Sequence, residues 1–179
     1  MANVNGKWLD RDARQRRIDL LESVNDKLEK LRKKGEIRPS QLRTLVSNKK
    51  ELIRLKRIHR AEYDVLYFGM EYFSEDGNPD NPDNLIPTGV NVINAARFHK
   101  LLTDMLDDVT KGYADRHIAW ACPRRHAKTA WLSNIFLVHQ IVFRHKRYIV
   151  LFSETTDTAG DFITWGRYQL KLNEKLRRD

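Results

Sequence analysis

The chain has 179 residues, 41% hydrophobic and 32% charged, which permits one domain or one domain with an appendage. A single cysteine excludes an internal disulfide and fits a cytosolic protein, no apolar run approaches a transmembrane length, and the polar N-terminus lacks a signal-peptide core. The net charge of +9 is unevenly placed: residues 1–60 carry 18 Lys+Arg against 8 Asp+Glu, so the excess lies in an N-terminal arm.

That arm reads as helical. Leu20, Leu21, Val24, Leu28 and Leu31 recur at three- and four-residue steps, and Gly35 after Lys33 and Lys34 suits a C-terminal cap. Pro39 and Ser40 open a second helix carrying Leu42, Leu45, Val46, Leu52, Ile53, Leu55 and Ile58, so the pair predicts an antiparallel hairpin. Its basic face either attracts phosphate backbones without reading sequence or is a solvated surface. Tyr63, Tyr67, Phe68, Tyr72 and Phe73 follow as core aromatics, completing an arm over residues 1–73. Residues 74–93 read as an acidic, Pro/Gly/Asn-containing connection. Its stretch Ser74–Asn84 holds Gly77, Pro79 and Pro82 with Glu75, Asp76, Asp80 and Asp83, a solvated loop rather than a metal site. A helix is expected from Asn94 to Val109.

From there to residue 179 the pattern alternates. An apolar run, His117–Ala121, precedes the loop Cys122–Thr129, a helix over Ala130–Phe143, a second apolar run, Tyr148–Phe152, and a helix over Thr156–Leu176. Continuous apolar strands alternating with helices predict an α/β fold: a parallel sheet with flanking helices, part of a P-loop NTPase. Strand, loop, Lys-Thr, helix is the order of a phosphate-binding loop, in which Lys128 reaches the β and γ phosphates of ATP and Thr129 binds Mg2+. Both glycines of the G-x-x-x-x-G-K-[ST] pattern are changed, to Cys122 and Ala127, and a basic helix start would look the same locally. A preformed cradle without strain requires a negative φ at Ala127.

Pro123-Arg124-Arg125-His126-Ala127-Lys128-Thr129 resembles the deviant Walker A loop of tailed-bacteriophage terminase large subunits, the ATPases that pump double-stranded DNA into proheads. Ala96–Leu102, with Phe98-His99, resembles the segment upstream of that loop. Ile149–Thr155 resembles the strand ending in Ser-Glu-Thr, and Asn173–Asp179 the end of the next helix. The resemblance covers about residues 61–179.

It implies that Phe98 and His99 lie near the adenine. It also implies that residues 123–129 cradle the phosphates, and that Arg124, or else Arg125, stabilises the γ-phosphate beside Lys128. Implied partners are the small terminase subunit, the portal and prohead, and further copies of the full-length protein, in the bacterial host cytoplasm. The family's Walker B acids and its carboxylate-rich nuclease domain cannot be placed in this sequence. The expectation is therefore an N-terminal part of a longer protein, binding nucleotide without turnover. A helical adaptor, binding DNA or the small subunit through the basic arm, and a helicase fragment stay open as alternatives.

Overall fold

The computed structural model describes residues 3–4, 7–113, 118–122 and 124–179, with no side-chain account of 3–8. The chain divides into two compact units, one reaching to Arg60 together with Asp179, the other spanning Ala61–Arg178.

In the first unit a two-residue antiparallel ladder, β1 (Asn3–Val4) with β2 (Lys7–Trp8), precedes two long helices, α1 (Arg11–Lys33) and α2 (Pro39–Ala61). Asp10 caps α1 by accepting the Ala13 N–H at 2.7 Å. At the other end Gly35 takes φ 75, and the Glu36 N–H bonds the Leu31 carbonyl, closing the helix as the glycine led one to expect. The two helices run antiparallel: the Arg11 guanidinium bonds the His59 carbonyl, Arg17 pairs with Glu51, and Lys49 with Glu29. The buried line of α1 is Arg14, Ile18, Leu21 and Asn25. It is rotated from the expected leucine stripe, and Leu20 is left 53% exposed.

The second unit is built from α3 (Val65–Phe73), α4 (Arg97–Lys111), a π-helical segment (Ala130–Ile135) that runs straight into α5 (Phe136–Val142), α6 (Thr156–Leu172) and α7 (Glu174–Arg178). The core gathers Phe68, Phe73, Leu102, Ile135, Val138 and Phe143, all buried. Each fully buried side chain of this size contributes about 1.5–3 kcal/mol.

The parallel-sheet P-loop fold expected from the alternating pattern is not found. The described residues are overwhelmingly helical, with no sheet beyond the β1–β2 ladder. Ile118–Ala121 and Tyr148–Phe152 form no strand; His117 lies outside the described residues. The reason is that a strand is completed only by a neighbour's donors and acceptors, whereas a helix satisfies its own backbone. The helix expected from Thr156 to Leu176 also breaks, at Asn173, whose Oδ1 accepts the Leu176 N–H and opens α7.

The Ser74–Asn84 segment is solvated only in part: Glu75, Asp76, Asp80 and Asp83 are exposed, as expected, but two of its asparagines are not. Asn78 and Asn81 are 5% and 6% exposed. Asn78 donates to the Tyr72 carbonyl (3.1 Å) and to Asn173 Oδ1 (2.8 Å), and Asn81 donates to Gln169 Oε1 (3.1 Å). Asn173 completes the set by donating to the Tyr72 carbonyl and to Gln169. A buried amide network of this kind ties the segment to α6, because each buried polar atom must find a partner.

Among the described residues no helix is long and apolar enough to cross a membrane.

Candidate functional site

The loop Arg124–Thr129 enters the helical stretch that becomes the π segment, and its first turn closes with the Trp131 N–H on the Ala127 carbonyl (3.2 Å). Two residues of the loop are left-handed, Arg125 at φ 67 and Ala127 at φ 52. The negative φ expected at Ala127 is therefore overturned. The alanine occupies, with glycine-like angles, the position where the phosphate-loop pattern has glycine, at a cost of roughly 1–2 kcal/mol.

The first turn of α4 carries Phe98 and His99 to this loop. His99 Nε2–H donates to the His126 carbonyl at 3.2 Å, and His126 Nδ1–H donates to the Arg124 carbonyl at 2.9 Å. Since a carbonyl can only accept, both histidines carry a proton on the bonded nitrogen. The Phe98 ring lies 5.7 Å from that of His126 and 6.1 Å from that of Trp120, while His99 lies 5.9 Å from Trp131. The side chains of Arg124, Arg125, His126 and Thr129 are exposed, and Lys128 is half-buried. Pro123 lies outside the described residues. The structure thus brings Phe98, His99, Arg124 and His126 into one cluster, with Arg125, Ala127, Lys128 and Thr129 along the same loop.

Two tryptophans complete the cluster without having been singled out in the sequence. Trp131 is 2% exposed and lies against Gly69 of α3, so closely that a Cβ there would stand 2.5 Å from its Cζ3. Its signal was legible in principle: it lies three residues after Lys128, on the same helical face. Trp120 has its Nε1 buried without a hydrogen-bond partner among the described residues. Nothing in its local sequence marks it.

Elsewhere in this unit two titratable groups are strongly perturbed. His139 is fully buried among Phe68, Phe143 and His145. It donates from Nε2 to the Ala61 carbonyl (2.9 Å) and accepts at Nδ1 from Gln140. Burial pushes its imidazole down to about 3, so it is a neutral core residue. Asp107 accepts the Val65 N–H at 2.8 Å, at the start of α3. Burial raises its carboxyl to about 7, helped by the nearby Asp64 and opposed by that hydrogen bond.

Among the described residues no group of three His, Cys, Asp or Glu side chains could hold a metal ion. No known family, no curated protein and no solved structure matches this chain.

Proposed function

We propose that this chain carries the nucleotide-binding site of a DNA-packaging ATPase of the terminase large-subunit kind. The observation that carries the reading is the meeting of two segments 27 residues apart, where His99 bonds the backbone of His126 in the Arg124–Thr129 loop. Both segments are those in which the sequence resemblance lies.

The residues present fit a nucleoside triphosphate. Ala127 is left-handed, which counts against a strain-free preformed cradle, so the reading rests on the loop's charge and on its contact with Phe98 and His99. Arg124, Arg125 and Lys128 supply positive charge beside a helix N-terminus, which favours anions. In this reading Lys128 holds the β and γ phosphates and Arg124 neutralises the γ-phosphate, with Arg125 as the second candidate. The exposed Thr129 hydroxyl is the side chain assigned to Mg2+, which accompanies ATP. Phe98 packs near the base, and His99 still has Nδ1 as an acceptor for it. Phosphoryl transfer needs this kind of positioning and charge neutralisation more than covalent chemistry by the protein.

The DNA partner is assigned to the first unit. Lys27, Lys30, Lys33, Lys34, Arg38 and Arg43 are exposed around the turn between α1 and α2. This is the charge distribution that binds phosphate backbones electrostatically. The same surface supports the adaptor reading, in which the partner is the small terminase subunit.

Titration of a fluorescent ATP analogue with magnesium tests the nucleotide site. Lys128→Ala should weaken binding at least tenfold, about 1.4 kcal/mol or more, while phosphate release stays at background. Equal affinity for the wild type and Lys128→Ala would sink the reading.

A further inference from the structure

The second unit holds an open cavity of about 810 Å3, between α5, α6 and the segment 144–151. Its walls are apolar: Leu137 and Ile141 from α5, Ile163 and Leu170 from α6, with Tyr148 and Ile149. Its rim is cationic, from Arg144, Lys146, Arg147 and Arg167, and no acidic side chain lines it. A second cavity, of about 280 Å3, lies along the same segment and shares Leu137, Lys146, Tyr148, Ile149 and Leu151 with the first. The segment thus has apolar space on more than one side.

Tyr148–Phe152 is also an unbroken apolar run of five residues, yet its side chains are poorly covered. Tyr148 is 84% exposed, Val150 48% and Phe152 93%. Among the described residues its backbone enters no backbone hydrogen bond. A contiguous exposed apolar surface with a polar rim marks an interaction site, and open backbone groups beside apolar pockets are what an extended peptide uses.

We propose that this groove takes an extended peptide segment of a partner protein, one in which apolar side chains alternate with acidic ones. The apolar side chains fill the cavity between α5 and α6. The carboxylates meet Lys146, Arg147 and Arg167, none of which has an ion-pair partner among the described residues. Charge selects this occupant. A second copy of the chain meeting the groove through its own groove would set four cations against four, which a two-fold contact cannot avoid. A small anionic amphiphile would suit the cavity but would leave Phe152 and the open backbone of Tyr148–Phe152 unused.

The probe is a fluorescein-labelled synthetic dodecapeptide of alternating Val and Glu, titrated into the full chain and followed by anisotropy. Saturable binding is expected, with a peptide of alternating Val and Lys binding at least tenfold more weakly. Arg147→Glu with Arg167→Glu should weaken the Val–Glu peptide at least tenfold, and so, separately, should Ile163→Asp. All three positions are exposed, so helical circular dichroism is expected to match the wild type. Amide exchange at residues 149–152 should slow in the complex. Equal binding of the Val–Lys peptide, undiminished binding by both variants, or saturable binding of decanoate without binding of the peptide each overturns the proposal.

Discussion

At Gly69 of α3 the indole of Trp131 packs against bare backbone, and one methyl group added there tests how the candidate site is held. An ideal Cβ on Gly69 would stand 2.5 Å from Trp131 Cζ3 and 2.7 Å from Cη2. Ordinary carbon contacts are about 3.5–4.0 Å, so the indole must retreat by about 1 Å. It has little room, being 2% exposed with the His99 ring 5.9 Å away. Overpacking costs about 1–3 kcal/mol, and replacing glycine by alanine inside a helix returns about 1 kcal/mol. Gly69→Ala should therefore lose up to about 2 kcal/mol, several degrees in Tm for a unit of this size. In a Trp131→Leu background the clash is gone, and the same alanine should stabilise by about 1 kcal/mol. Urea unfolding of the wild type, the two single variants and the double variant gives the coupling directly, and about 1–3 kcal/mol is expected. A coupling within about 0.5 kcal/mol of zero would refute the contact between Gly69 and Trp131. The indole's retreat should also shift the His99 ring resonances, since His99 is its aromatic neighbour on the loop side.

Ala127→Gly should stabilise the chain by about 0.5–1 kcal/mol, because relief of the left-handed strain exceeds the added entropy of the unfolded glycine. Arg144→Gly, at φ 58 after α5, should behave alike in the same melt, and a loss at either position would contradict the backbone described. Asp107, raised to about 7, keeps its proton between about pH 4 and 7 where the unfolded chain has lost it, so its contribution to stability falls as pH rises through that window. Asp107→Asn should therefore gain Tm relative to the wild type from pH 4 to 7 and then level off; a constant difference would show that the carboxyl is not perturbed. His139 has the opposite sign: its folded value, about 3, lies below the unfolded one, so stability falls as pH drops below about 6.5. Its imidazole should remain neutral by NMR at pH 5, and titration near 6.5 would contradict its burial. If the exposed cations around the α1–α2 turn contact DNA, affinity should fall steeply with salt and show little sequence preference, and charge reversal of Lys33 and Lys34 should reduce the salt slope. Binding that is insensitive to salt favours a helix-binding partner instead.

The features legible in the sequence are those that neighbouring residues settle among themselves. Gly35 ends α1 and Pro39 begins α2 because each fixes the backbone of its own turn. The helices expected from Ala130 and from Thr156 follow from apolar spacing in the same local way, although the first opens as a π-helical segment. The cluster of Phe98 and His99 with the loop was legible only through a resemblance of motifs; its contacts, across 27 residues, are tertiary. What the tertiary structure alone decided is of that non-local kind. Ile118–Ala121 and Tyr148–Phe152 have strand-like composition, but a strand exists only where another chain segment accepts its hydrogen bonds. The loop at Ser74–Asn84 has the composition of a solvated turn, yet Asn78 and Asn81 are buried, because Gln169 and Asn173, about 90 residues away, meet their amides. The angle at Ala127 is not dictated by its residue type, because a left-handed alanine costs only about 1–2 kcal/mol. A term of that size is within what tertiary packing supplies, and the contact of Trp131 with Gly69, 62 residues away, is of that non-local kind.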